Sequence, residues 1–261
     1  METLTIVKLG GSVITYKGSS PPKTNDENLS RIVKELKSHK GGLVVVLGGG
    51  AHGHQAAHSF GYGDPYTPKE QLMTGIPHIR HNMSVLALKV ESELNDAGIP
   101  TIVVSPFNIV TLRNNSIDDF PITIIENALN SGCVVLTHGD VCFDKERGAS
   151  ILSGDTIVVY LAKRLAAKSL YIGTDVDGVL DDNPKLNPAA KYIPFIDHSN
   201  KEEVLSMTGP SMNTDVTGGM TKKVNELLDL TKQDIEIAIF NLTVPGRLTS
   251  LLLGKPTICT Q

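Results

Sequence analysis

No apolar run in this sequence approaches the roughly 18 residues that a membrane span requires, so no transmembrane segment is expected. Cysteine is scarce. Cys133, Cys142 and Cys259 are odd in number and too scattered for a metal knuckle; unpaired, unclustered thiols fit a reducing cytoplasm. Positive charge is not in excess either, since 24 Lys and Arg against 28 Asp and Glu leave a net charge of −4. A general nucleic-acid binder needs a basic face for counterion release, so an anionic ligand must here be met by a few local cations. The opening Leu4-Thr-Ile-Val-Lys-Leu9 reads as a strand rather than a charged segment with a long apolar stretch, and no signal peptide is expected. Internal repeats, low-complexity tracts and long linkers are absent.

What is present is an ordinary globular composition, 40% hydrophobic and 20% charged, on a chain of 261 residues that can bury a substantial core. Short β-branched runs alternate with longer amphipathic ones, the pattern of βαβ units and a mainly parallel, buried sheet. Strands are expected at 3–9, 43–47, 101–104, 133–137, 169–173, 235–240 and 256–259. Helices are expected near 25–39, 51–60, 78–97, 121–131, 155–167, 219–230 and 245–253. Thr24 with Glu27 reads as a capping box for the first long helix. Residues 141–152 read as a hairpin turning at Asp144–Gly148. The expected fold class is α/β, a three-layer αβα sandwich around a mainly parallel sheet, in one domain spanning 1–261. A weak boundary near residue 168 suggests two lobes, 1–167 and 168–261, on one continuous sheet.

Two glycine loops stand at strand ends, Lys8-Leu-Gly-Gly-Ser12 and Gly48-Gly-Gly-Ala-His-Gly-His54, the second running into a helix. Glycine admits a close approach of backbone to phosphate, and a helix N-terminus offers free N–H groups. One such cluster is readily a tight turn; two in one sheet, with a lysine at the first, favour phosphate on both donor and acceptor. Gly48 to Gly53 also satisfies G-x-G-x-x-G, but the next strand begins only near Thr101, too late for the acidic partner of a dinucleotide site. The chain has no G-x-x-x-x-G-K-[ST], H-R-D or D-F-G, which excludes P-loop proteins and protein kinases.

These two loops, followed by Ser153-Gly-Asp155, Thr174-Asp-Val-Asp-Gly-Val179 and Asp215-Val-Thr-Gly-Gly-Met220, resemble the amino acid kinase superfamily over essentially the whole chain. Within it the chain looks like the isopentenyl phosphate kinase branch, because of His54, Lys17 nine residues after Lys8, and His138-Gly139-Asp140 before a hairpin. Leu47 and His52 stand where relatives more often carry a histidine and an aromatic residue. The resemblance implies ATP-dependent phosphorylation of isopentenyl phosphate for isoprenoid synthesis, with Mg²⁺ carried on ATP, a cytoplasmic setting and a homodimer. It implies catalytic roles for Lys8, Lys17, His54 and Asp155, with 1–167 as the acceptor lobe and 168–261 as the nucleotide lobe. ATP is expected at Lys8, Gly10, Gly11, Ser12, Gly50, Thr174, Asp175, Asp177, Gly178, Gly218, Lys222 and Lys223. The acceptor is expected at Gly49, Gly50, Gly53, His54, Gly154 and Asp155.

The residue types suit that chemistry. Phosphoryl transfer needs positioning and charge neutralisation, and a phosphomonoester is already an anionic nucleophile requiring no general base. Lysine at a strand end is ordinarily solvated, but Lys8 precedes Gly-Gly-Ser. Lys17 by sequence alone is a surface residue. Asp155 at a helix start has N-capping as its plain role. The spacing of His54 and His58, with His52 nearby, raises zinc; without an H-E-x-x-H pattern no metal site is expected. Leu72, Met73, Ile76, Ile79, Met83, Val85, Leu86 and Leu88, on the helical stretch 72–90 that also carries Gly75 and Pro77, divide between core and a wall for an apolar tail. Competing functions are a related kinase acting on another phosphomonoester, a phosphonate or an amino-acid carboxylate, and a non-catalytic nucleotide-binding module. A carboxylate acceptor wants an arginine, and neither Arg80 nor Arg113 stands in a motif.

Overall fold

The structure is a computed structural model describing residues 3–182, 186–187, 189–197, 199–207, 224, 227–228, 230 and 233–261. Seven strands form the main sheet in the order β11-β10-β9-β1-β2-β6-β3: Cys259–Thr260, Glu236–Asn241, Ser169–Thr174, Leu4–Leu9, Gly42–Leu47, Val134–His138 and Thr101–Val103. All pairings are parallel except that of β10 with β11. The strands are near-continuous apolar runs because both faces are covered. Leu4, Ile6, Val44 and Val46 enter one core with the helices α5 (Thr123–Asn130) and α6 (Gly154–Arg164). Val7, Leu9, Val45 and Leu47 enter a second core. Its helices are α1 (Gly11–Ile14), α2 (Asp26–Leu36), α3 (Gly50–Ser59), α4 (Lys69–Asp96) and α8 (Arg247–Leu252), α7 being Lys201–Met207. The strand period of two thus sorts side chains into two helical layers about one sheet. The continuous sheet crosses residue 168, since β9 pairs with β1.

Beside the main sheet lies a second one, β5-β4-β7-β8, from Ser116–Asp119, Thr111–Arg113, Asp140–Asp144 and Gly148–Leu152. The hairpin β7–β8 stands where the sequence places it; β4 and β5 carry too few apolar residues to announce themselves. Only Gly139 separates β6 from β7, so the chain passes directly from one sheet into the other.

Local signals were overridden in two places. Asn25, not Thr24, caps α2, accepting the Asn28 N–H at 3.1 Å, while Thr24 Oγ1 donates to Asp26. The helix expected from residue 78 begins at Lys69 and runs through Gly75 and Pro77. A Cβ at Gly75 would come within 2.8 Å of Phe60 Cβ, so the glycine lets α4 press on the α3–α4 connection. The expected helix 219–230 falls largely outside the described residues.

Asp144 locks the second sheet. Its carboxylate accepts the N–H groups of Asn114, Asn115, Glu146 and Arg147 and the Ser150 hydroxyl. It closes both the β7–β8 turn and a tight turn in which Asn114 and Asn115 adopt φ of 47° and 63°, a conformation that asparagine tolerates better than most residues. Burial pushes this carboxyl up, but the hydrogen bonds outweigh it and hold it at about 2. Asp144→Ala should therefore lower unfolding free energy by about 2–4 kcal/mol. A folded pKa below the unfolded value stabilises above the unfolded value, so in the wild type this contribution should fade as pH drops from about 4 to about 2. Thermal and urea unfolding of both proteins across that range checks each statement.

Candidate active site

The carboxyl ends of β1, β2, β6 and β9 converge on one edge, with Leu9 beside Leu47 and Gly173, and Leu47 beside His138. Open parallel sheets present ligand crevices at this edge. Lys8 shares the face of Leu4 and Ile6 and lies under α6, with only 7% of its surface exposed. A buried ammonium requires a partner, and Asp155 supplies it, with Oδ1 2.7 Å from Nζ. Asp155 does not cap its helix. Ser153 does, its hydroxyl accepting the Thr156 N–H at 3.1 Å, so the carboxylate turns to Lys8 instead. Gly154 admits the pair: a Cβ there would stand 3.3 Å from Lys8 Cε and 3.2 Å from the Leu47 carbonyl.

The glycines divide by task. A Cβ on Gly11 would collide with the Gly50 backbone, one on Gly48 would lie 2.7 Å from Gly11 N, and one on Gly10 2.5 Å from the Gly173 carbonyl. Gly50 has φ of 48° and packs against Gly11 and Thr15. Thr15 Oγ1 ties the loops, donating to the Gly11 carbonyl at 2.7 Å and accepting the Ala51 N–H at 3.0 Å. The two glycine loops therefore interlock, and Gly10, Gly11 and Gly50 are accounted for by that packing. Gly49 and Gly53 differ. They border an open cavity with Met83 as their nearest side chain.

That cavity gathers Lys8, Gly49, Gly53, His54, Gly154 and Asp155 from the residues picked out by sequence. Gly48, Gly139, Asp140 and Ser153 join them at its polar end, and Ala57, Ile79, Met83, Ile151 and Leu152 form an apolar wall. Of the tail-wall candidates, only Ile79 and Met83 take part. Leu72, Ile76 and Leu86 are buried in the core, whereas Met73, Val85 and Leu88 face solvent. The unusual Leu47 and His52 are buried away from the lining; burial lowers the His52 pKa.

Lys17 lies outside the cavity lining, exposed, with Nζ 2.9 Å from Asp175 Oδ2. Burial raises the Asp175 pKa, but hydrogen bonds from Lys17 and Ser12 overcome this and hold it low. Thr174 Oγ1 donates to the Val176 carbonyl at 2.9 Å. Asp177 accepts from Arg247 at 2.6 Å and Asn241 at 3.1 Å, and Gly178 packs on Thr260. Ser12, Thr174, Asp175, Asp177 and Gly178 thus cluster at the ends of β1 and β9, next to the cavity but not lining it. Gly218, Lys222 and Lys223 lie outside the described residues. Among the described residues no three His, Cys, Asp or Glu side chains are grouped to hold a metal ion.

Two lining contributions were not among the site residues expected from sequence, although Asp140 closes the His138-Gly139-Asp140 motif. Asp140, fully buried, receives Arg80 Nη1 at 2.6 Å. Burial pushes its carboxyl up to about 7 against the pull of Arg80, and burial holds the adjacent His138 at about 4, leaving that ring neutral. The hairpin residues Ile151 and Leu152 look like ordinary strand residues until β8 is placed under α4.

The profile of the Amino acid kinase family matches residues 3–241. This chain belongs to the amino acid kinase family. It is 35% identical to an isopentenyl phosphate kinase of Methanothermobacter thermautotrophicus over 96% of this chain and 95% of that one. With the isopentenyl phosphate kinase of Methanocaldococcus jannaschii it shares 32% identity over 97% and 96%. An X-ray structure of an isopentenyl phosphate kinase superposes with a TM-score of 0.86 at 30% identity, covering 99% of this chain and 100% of that one. A UMP kinase from Ureaplasma parvum, at 18% identity and a TM-score of 0.67, shares the fold. This amino acid kinase family member therefore has the α/β architecture, with a mainly parallel sheet, that its sequence pattern led us to expect.

The two classes of glycine make a contrast that thermal unfolding resolves. Gly11→Ala places a methyl group into Gly50 backbone and should cost several kcal/mol, on the order of an overpacked core. Gly53→Ala, in a helix and facing the cavity with only Met83 Sδ at 3.1 Å, should leave stability unchanged or raise it by up to about 1 kcal/mol. Equal destabilisation by the two would contradict the division.

Proposed function

We propose that this chain transfers the γ-phosphoryl group of ATP to isopentenyl phosphate, giving isopentenyl diphosphate and ADP for isoprenoid synthesis in the cytoplasm. One observation carries the choice of acceptor: the cavity joins a polar end, lined by Lys8, Gly49, Gly53, His54, Gly154 and Asp155, to a short apolar wall of Ala57, Ile79, Met83, Ile151 and Leu152. A phosphomonoester with a small hydrocarbon tail fits both ends. An amino-acid carboxylate is less well served, because Arg80 is engaged by Asp140 and Arg113 pairs with Asp118 and Glu146 on the surface. The kinase relatives and their near-complete coverage support the same assignment.

In this mechanism an acceptor phosphate oxygen attacks the γ-phosphorus as the bond to the β–γ bridging oxygen breaks and ADP departs. Lys8, oriented by Asp155, neutralises charge on the moving group, and the N–H groups at the start of α6 add a positive field. His54 donates to the acceptor phosphate. Lys17, Gly10, Gly11, Ser12, Gly50, Thr174, Asp175, Asp177 and Gly178 belong to the nucleotide side, with Gly218, Lys222 and Lys223 at the phosphates. Mg²⁺ travels with the ATP. Residues 1–167 form the acceptor lobe and 168–261 the nucleotide lobe, in a protein that works as a homodimer.

ATP consumption measured against isopentenyl phosphate, a short alkyl phosphate, acetylglutamate and UMP tests the assignment; isopentenyl phosphate should give the highest kcat/KM. A clear preference for acetylglutamate or UMP would overturn it. His54→Ala should lower kcat/KM for isopentenyl phosphate by about 10²–10³, the usual loss for one donor to developing charge, with little change in the KM for ATP. His54→Gln, which can still donate, should retain more activity than the alanine variant. Lys8→Ala should lose turnover at least as severely while remaining folded, and near-normal kcat would remove Lys8 from the mechanism.

A further inference from the structure

One charge cluster, with Asp140 buried and Arg80 partly buried, has no step in the chemistry above. Arg80 follows Ile79 on α4 and reaches across to Asp140, the first residue of β7. Asp140 Oδ1 accepts the Val141 N–H at 2.9 Å, and His138 Nδ1 lies 3.5 Å from Oδ2. The guanidinium rests over the Phe107 ring, 5.1 Å from its centroid, and Phe107 in turn packs on Phe143 of β7. Asp140 is the register partner of Leu152 across the β7–β8 hairpin. The ion pair therefore bridges the two sides of the cavity, α4 with Ile79 and Met83 on one, β7–β8 with Ile151 and Leu152 on the other.

A buried ion pair is a poor device for stability alone, because desolvation offsets most of its attraction and an apolar pair holds helix to sheet as well. It differs from an apolar contact in fixing geometry. A planar guanidinium stacked on an aromatic ring and bonded to an immobile carboxylate has one length, whereas methylene against methylene slides. We propose that Arg80 and Asp140 are a specificity-determining positioning pair, a strut that sets the distance of α4 from β7–β8 and so the width open to the acceptor's tail. Arg80 does not line the cavity and Asp140 is turned to Arg80, so the pair acts on the tail through Ile79, Met83, Ile151 and Leu152. The proposal rests on the cavity being the site of an acceptor with a short apolar tail.

The test compares wild type with Asp140→Asn, Arg80→Met and the double variant. Asparagine keeps the acceptor for Val141, and methionine keeps apolar bulk over Phe107. For each protein, kcat and KM are measured with isopentenyl phosphate, with the two-isoprene geranyl phosphate, and with ATP varied, after thermal unfolding confirms the fold. Loosening the strut should reduce the preference for isopentenyl over geranyl phosphate by roughly tenfold, the scale on which apolar pockets discriminate. The change should lie in acceptor KM, with ATP KM unaltered. If both acceptors lose kcat/KM in equal proportion, the pair is structural only and the proposal fails. Should Arg80→Met not fold, Asp140→Asn alone decides, by the same ratio. A wild-type protein that ignores isopentenyl phosphate altogether would instead defeat the acceptor assignment, and the strut with it.

Discussion

An ammonium buried at the end of the central strand must have a carboxylate beside it, and much of the local structure follows from that constraint. Lys8 is enclosed by β2, β9 and the start of α6, and Asp155 meets it at 2.7 Å. To bring Asp155 there, α6 must begin directly over Lys8 and Leu47, a close approach that glycine at 154 eases, since a Cβ there would stand 3.2–3.3 Å from both. With Asp155 committed to Lys8, the cap falls to Ser153. The hairpin β7–β8 has to end at Leu152 to launch α6 from this point, and Asp144 secures that hairpin at its far turn. Such a pair adds little net stability, since burying both charges costs about what their attraction returns. In the proposed function its value lies in holding a cation at the sheet edge, on the lining of the cavity.

The same economy explains the loops. Interlocked glycines bring the ends of β1 and β2 closer than any side chain would permit. That closeness places the head of α3, with Gly49, Gly53 and His54, over the same cavity as Lys8. In the proposed function, phosphate recognition is assembled from backbone N–H groups, the Lys8 ammonium and the His54 imidazole, while the tail is received by side chains from α3, α4 and β8.

The sheet strands were legible because strands buried on both faces must be written as unbroken β-branched runs, as in Leu43-Val-Val-Val-Leu47. The glycine loops and Ser153-Gly-Asp155 were legible for a different reason: they combine residues whose conformational needs coincide with phosphate chemistry. Their packing role was not, because Gly11 meeting Gly50 is a contact between segments far apart in sequence. Thr24 seemed the better cap, but Asn25 sits one residue nearer the true helix start. The extent of α4 was hidden by Gly75 and Pro77, which normally mark a boundary and here lie inside a helix stabilised by packing on Phe60 and Tyr62. Arg80 was opaque since its meaning depends on Asp140, 60 positions away, and on Phe107 beneath it.

In the proposed reaction a phosphate oxygen of a short apolar phosphomonoester receives the phosphoryl group. Phosphorus-31 NMR of the protein with MgATP and isopentenyl phosphate observes this directly. The account predicts loss of the monoester resonance and growth of the two coupled resonances of a diphosphate ester, with one ADP formed for each acceptor consumed. An unchanged monoester resonance while ATP falls to ADP and inorganic phosphate, or while acetylglutamate or UMP is phosphorylated in its place, would contradict it.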